Sequence, residues 1–308
     1  MNRFLNKIPM PIVGLMLSFA SLGNLLEPYG KVYKTILGVL SASLFILTTI
    51  KFLCGISGLK KELSTPIGAS IFPNYTMSIM LLATYIKPYN QEVAYGIWIA
   101  SILLHIILII YFTRRFVLHF NIMEVFPSWF IVYVGIAVAA VTGKAFNQTI
   151  GQIAFCFAFL SYLILIPIVV KRVLFVKNIP EPALPTLIIF SAPGSLCLAG
   201  YINSFKTKHM LLLVFLLILS QVIYLVAVIK LIPLLKLKFY PSYSGFTFPL
   251  VISAIALKSS NAYLISQGHT FGFLSVLVKT EEIIATLIVF YVFIRYLNHI
   301  VRLTLRES

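Results

Sequence analysis

Long apolar runs separated by short polar breaks recur along the whole chain. They lie near residues 8–26, 34–54, 66–86, 92–113, 125–143, 148–170, 184–203, 209–233, 245–263 and 271–298. Each holds about the 20 mostly apolar residues that carry a helix across a bilayer. The breaks are short, so consecutive helices form antiparallel hairpins and no segment is left for a soluble domain. The pattern predicts an all-α integral membrane protein, a single transmembrane domain over residues 1–308 with ten transmembrane helices as five helical hairpins. Arg3 and Lys7 precede the first run as in a signal peptide. That run ends Gly23-Asn-Leu-Leu-Glu27 without a small-x-small cleavage site, and is read as a retained span.

Helix breakers are distributed unevenly over the runs. The odd runs open on prolines and carry a second breaker one to two turns on. These pairs are Pro9 and Pro11 with Gly14, Pro66 with Pro73, Pro127 with Gly135, Pro185 with Pro193-Gly194, and Pro241 with Pro249. The even runs are continuous, with Pro167 near an end. A recurrence of roughly 60 residues signals repeated structural units, here one hairpin each. Broken backbone at membrane depth is tolerated only where it is buried in protein or lines a cavity. The odd helices are therefore expected to form an inner ring around a pore, inside an outer ring of even helices. Gly14, Pro73, Gly135, Pro193, Gly194 and Pro249 are the expected pore-lining or helix-kink positions.

Composition narrows the chemistry. Of 308 residues, 60% are hydrophobic and 10% charged, too few polar groups to coat a soluble domain of this size. The chain has no aspartate and eight glutamates. That argues against Asp-rich magnesium-diphosphate sites, carboxylate-dyad hydrolysis and aspartyl-phosphate formation. Cys54, Cys156 and Cys197 read as buried free thiols, and the five histidines lack zinc-like spacing. No enzyme activity, metal or cofactor is expected.

Charge sets an orientation. Sixteen of the 24 basic residues, among them Arg3, Lys7, Lys51, Arg114, Arg115, Arg172, Lys236, Arg295 and Arg306, fall on one side of the alternating runs. Basic residues collect on the cytoplasmic side, so both termini are expected in the cytoplasm. This bias and attraction to anionic membrane lipid explain the net charge of +16. No nucleic-acid partner is implied. The odd runs carry hydroxyls (Ser18, Ser21, Ser78, Thr84, Thr142, Ser191, Ser195, Ser253) and almost no charge at mid-depth. A proton-coupled carrier would keep an ionisable relay there, and a cation pore would have acidic rings. An uncharged lumen with hydroxyls and a basic entrance favours anions. Each odd run is followed or ended by an external lysine: Lys31, Lys87, Lys144, Lys206 or Lys258. Such lysines either attract anions or anchor helices at the interface.

The segments Phe126-Pro-Ser-Trp-Phe-Ile-Val-Tyr-Val-Gly135, Ser191-Ala-Pro-Gly194 and Gly245-Phe-Thr-Phe-Pro249 carry a resemblance. Across essentially the whole chain the sequence resembles the tellurite-resistance/dicarboxylate transporter (TDT) family, which includes TehA-like proteins, fungal malate permeases and plant guard-cell slow anion channels. The resemblance implies a homotrimer in the plasma membrane, with one pore per protomer. It implies a phenylalanine plug in the ninth span, which the Thr-Phe-Pro match places at Phe248, and it maps the glycine of the first span onto Gly14. The chain departs from the pattern after Gly14, where Leu15-Met-Leu-Ser18 contains no proline. The leading reading is a gated anion channel passing small inorganic or organic anions. The alternative is a secondary carrier for C4-dicarboxylates or other organic anions, linked to tellurite resistance. A bend at Pro249 would turn Phe248 toward the axis and leave Phe246 about 200° around the helix, facing a neighbour.

Overall fold

The computed structural model describes Leu5 and residues 7–305. Arg3, Arg306 and both chain ends lie outside the described residues. Among the described residues all regular structure is helical. The α-helices are α1 Ile12–Leu26, α2 Lys31–Cys54, α3 Ile56–Leu63, α4 Pro66–Ile71, α5 Asn74–Ile86, α6 Gln91–Phe112, α7 Trp129–Tyr133, α8 Ala137–Val141, α9 Gln148–Val170, α10 Ser191–Ser204, α11 Met210–Leu234, α12 Thr247–Ser266 and α13 Gly272–Leu305. Among the described residues, seven helical stretches are long and apolar enough to cross a membrane.

The odd runs are interrupted, each by its own local chemistry. The run 66–86, expected as one span, is two helices. α4 ends at Ile71 and α5 restarts at Asn74, with Pro73 as its N-cap. The run 125–143 is also broken. Between α7 and α8 the chain tightens into i→i+3 bonds, Ala137 N–H to Val134 O and Val138 N–H to Gly135 O. Gly135 is required in this break, because a Cβ there would lie 2.1 Å from the Ile131 carbonyl oxygen. The seventh and ninth runs begin as 3-10 helices, Glu181–Phe190 and Pro241–Phe246, and then become α10 and α12.

Pro193 and Pro249 are each the third residue of the α-helix that follows. In that first turn a backbone N–H lacks an intrahelical acceptor anyway. Pro249 thus stands where the 3-10 segment passes into α12, and its missing N–H costs no interior α-helical bond. Gly14 lies in the first turn of α1, which runs unbroken from Ile12 to Leu26. The even elements hold their own irregularities: α6 and α9 each run on into a π-helical turn, Thr113–Val117 and Lys171–Val176, and Pro233 joins Pro167 as a proline inside a helix near its C-terminal end.

Packing sorts the helices into two layers. α1 packs against α5 and α12, α12 against α10, α10 against α8, and α4 against α7. Each of these inner segments is in turn backed by an even helix: α2 on α1, α6 on α5, α9 on α8, α11 on α10 and α13 on α12. The inner segments are mostly buried, whereas the backing helices keep one broad apolar face exposed, with Ile36, Leu103, Ile107, Leu160, Leu211 and Leu225 pointing outward. In water such a surface would associate; against acyl chains it is at home. Cys54 and Cys156 sit on this exposed surface, contrary to the expectation of buried thiols, and only Cys197 is buried.

Candidate functional site

The inner segments are tied to one another by polar bonds at every junction. Asn24 Nδ2 donates to Thr84 Oγ1 at 3.5 Å, joining α1 to α5. Ser70 and Ser128 share a hydroxyl bond of 2.6 Å between α4 and the start of α7. Ser204 Oγ donates to the Ala140 carbonyl at 2.8 Å, joining α10 to α8. Ser195 and Ser253 meet at 2.9 Å between α10 and α12. Ser18 Oγ donates to Thr247 Oγ1 at 2.6 Å and brings α12 back to α1. The ring therefore runs in chain order and closes. Ser18, Ser195 and Ser253, expected to face a lumen, instead act between neighbours. A hydroxyl in an apolar interior has to find a partner, and the adjacent helix is the nearest one.

Inside the ring lies a cavity of about 30 Å³, room for little more than a water. Every inner segment contributes to its wall: Gly14 from α1, Asn74 and Met77 from α5, Phe130 and Ile131 from α7, Pro193 and Leu196 from α10, and Phe248 with Pro249 from α12. The polar groups here are Asn74, Thr186, Ser242 and Ser244, and no charged residue lines the wall. Further along the same segments a wider vestibule of about 520 Å³ is lined by Asn24, Thr84, Thr142, Asn203 and Lys258, again one from each segment. All five segments thus run in the same direction, from the cavity to the vestibule.

Phe248 is 6% exposed and lies in the same apolar cluster as Phe130, Leu196 and Ile252. Phe246 is fully buried in a different cluster, its ring 4.8 Å from that of Tyr243. The two phenylalanines face different surroundings, as the 200° offset requires. Gly14 brings backbone close to the cavity, and a Cβ there would sit 3.1 Å from Ser244 Cβ. Gly135 and Gly194 do not line the cavity. The vacant side of Gly135 faces Met77 and His105, and that of Gly194 faces Tyr162 and Ser220 on the backing helices. Both glycines allow close packing rather than width. Pro73 is likewise absent from the wall, although Asn74 beside it is present.

The expected ring of lysines is only partly assembled. Lys144 and Lys258 line the vestibule, joined by Lys34, which sequence reasoning did not single out. Lys31 and Lys206 are not among the residues that line it. Lys87 is drawn off to the Ala145 carbonyl and the face of Phe146. Lys208, in the 205–209 loop, has its pKa lowered by burial and by the nearby Lys144 ammonium.

His105 also went unrecognised in the sequence. It is fully buried on α6, with Nδ1 2.7 Å from Thr76 Oγ1 and Nε2 3.1 Å from the Val132 carbonyl oxygen. It therefore spans the two interrupted inner segments. The only advance sign was a histidine in the middle of a mostly apolar even run.

Among the described residues no group of histidine, cysteine or glutamate side chains could hold a metal ion. No curated protein matches the sequence. The model of the SLAC1 family, described as voltage-dependent anion channel, matches residues 8–297, nearly the entire chain. On that match, the protein belongs to the SLAC1 family of voltage-dependent anion channels, a family of transport proteins and not of enzymes.

Proposed function

We propose that the protein is a gated anion channel in which small inorganic or organic anions pass along the axis of the inner ring, and in which Phe248 is the gate. The observation that carries this reading is the lining. The five inner segments build both the closed cavity and the open vestibule, and the constriction between Phe248 and Gly14 is uncharged. A narrow, mostly apolar constriction of this size blocks ions by denying them their hydration shell. Removing one ring would open it. The serine, threonine and asparagine groups and the vestibule lysines favour negative ions without a fixed charge in the lumen. Five segments running in one direction suit a fixed pore better than a carrier, which usually rests on inverted repeats that alternate access.

In this reading the seven long apolar stretches are joined by three further crossings, α4–α5, α7–α8 and α13, giving ten spans. The vestibule opens outward, because the other ends of the inner segments adjoin most of the basic residues. The exposed apolar faces of the backing helices meet membrane lipid and two further copies in a homotrimer in the plasma membrane. The test is ion flux through the purified protein in liposomes under a salt gradient. A reversal potential on the anion side, for chloride, nitrate and malate in turn, supports the channel. A potassium-selective reversal potential, or malate uptake that saturates and is stimulated by counter-flow, contradicts it.

A further inference from the structure

The vestibule holds three lysines, but they are not equivalent. Lys34 Nζ lies 2.9 Å from Glu27 Oε2. Lys258 Nζ lies 2.5 Å from Glu282 Oε1, donates also to the Leu25 carbonyl at 3.0 Å, and sits 4.8 Å from the centre of the Tyr29 ring. Glu282 is itself buried, its side chain 5% exposed, and its other oxygen accepts from the Tyr29 hydroxyl. Lys279 closes this cluster from outside, its ammonium 2.5 Å from the same hydroxyl. Glu282 therefore lies behind the vestibule wall and holds Lys258 from the rear. Lys144 differs from both. It lines the vestibule, and among the described residues it forms no ion pair with a carboxylate.

A lysine paired with a carboxylate presents a dipole, whose field dies away faster than that of a net charge. An unpaired lysine presents a field that reaches about a Debye length. We propose that Lys144 forms a one-sided anion-entry subsite of the vestibule, and that Glu27 and Glu282 are positioning residues that hold Lys34 and Lys258 as neutral pairs. The ligand class is a small hydrated anion. The inference rests on the anion reading above, which is why its test does not depend on conduction.

The vestibule potential can be read from a thiol placed at its wall. In the full-length protein, with the exposed Cys54 and Cys156 changed to serine, Ser259→Cys puts a thiol on the vestibule lining. Its rates of reaction with a negatively charged and a positively charged methanethiosulfonate reagent are compared at low salt in liposomes. Adding Lys144→Gln is expected to lower the anionic-to-cationic rate ratio at least about two-fold, since basic surfaces concentrate anions by such factors or more. The double changes Lys258→Gln/Glu282→Gln and Lys34→Gln/Glu27→Gln are expected to leave the ratio unchanged, because each removes a neutral pair. At 1 M salt, where charge is screened within about 3 Å, the effect of Lys144→Gln should vanish. If the double changes lower the ratio as much as Lys144→Gln does, or if Lys144→Gln has no effect at low salt, the one-sided entry site is wrong. A wild-type protein that carries no anion flux would remove the proposed function, and the thiol ratios would still decide the vestibule charge.

Discussion

Ser18 and Thr247 are 229 residues apart in sequence, and their hydroxyl oxygens lie 2.6 Å apart in the structure. Thr247 passes the bond on to the Ser244 carbonyl at 2.7 Å. Together with the packing of α1 on α12, this contact joins the first of the five similar segments to the last. The other junctions use the same device, short hydroxyls between backbones that approach closely.

The ring bonds should be energetically coupled in pairs. A double-mutant cycle over Ser195→Ala and Ser253→Ala, read from unfolding in detergent, is expected to give a coupling of about 0.6 kcal/mol, the usual size of such bonds between membrane helices. A coupling indistinguishable from zero would mean that the 2.9 Å contact between these hydroxyls contributes nothing to closure.

His105→Phe should destabilise the protein by about 1–3 kcal/mol. The phenyl ring fills most of the space but leaves the Val132 carbonyl, now 3.1 Å from Nε2, buried without a donor, and an orphaned buried acceptor costs about that much. Thr76 keeps its alternative acceptor, the Pro73 carbonyl at 2.8 Å, so the loss is confined to the break between α7 and α8. Thermal unfolding in detergent measures it; an unchanged transition would show that the break does not need this clasp.

Two glycines should behave oppositely in flux. Gly14→Val pushes methyl groups toward Ser244, which is already 3.1 Å from the position of a Cβ, and narrows the constriction. Anion flux is expected to fall several-fold while the protein still folds. Gly194→Ala points away from the cavity, at the Tyr162 hydroxyl 3.3 Å away, which must give by a few tenths of an ångström, and at Ser220 at 3.6 Å, and should leave flux unchanged. Equal effects at the two positions would contradict the assignment of Gly14 to the cavity wall and Gly194 to packing.

Much of this arrangement was legible in the spacing of prolines and apolar runs. Pro66, Pro127, Pro185 and Pro241 marked where inner segments begin, and Phe248 beside Pro249 fell on the cavity wall. The form of the breaks was less legible. Whether a proline lies inside an α-helix or in its first turn depends on where the preceding 3-10 segment ends, and carbonyl geometry around residues 190 and 246 decides that. The roles of the glycines also depended on direction, since sequence gives no sign of which way the vacant side of Gly135 or Gly194 faces. The lysines were legible as a group. Their inequality was not, because Glu282 reaches Lys258 only after α12 and α13 pack side by side.

The central claim is that Phe248 closes an anion pathway, and anion flux through Phe248→Ala in liposomes tests it most directly. Truncation removes a ring from a cavity of about 30 Å³, and loss of a buried phenyl group typically costs about 3–5 kcal/mol. Flux is therefore measured on protein whose folding has been checked, with Phe248→Leu as a milder second variant. The account predicts a many-fold rise in anion flux for Phe248→Ala, a smaller rise for Phe248→Leu, and retained preference for anions over potassium. Folded Phe248→Ala protein that conducts no better than wild type would contradict it.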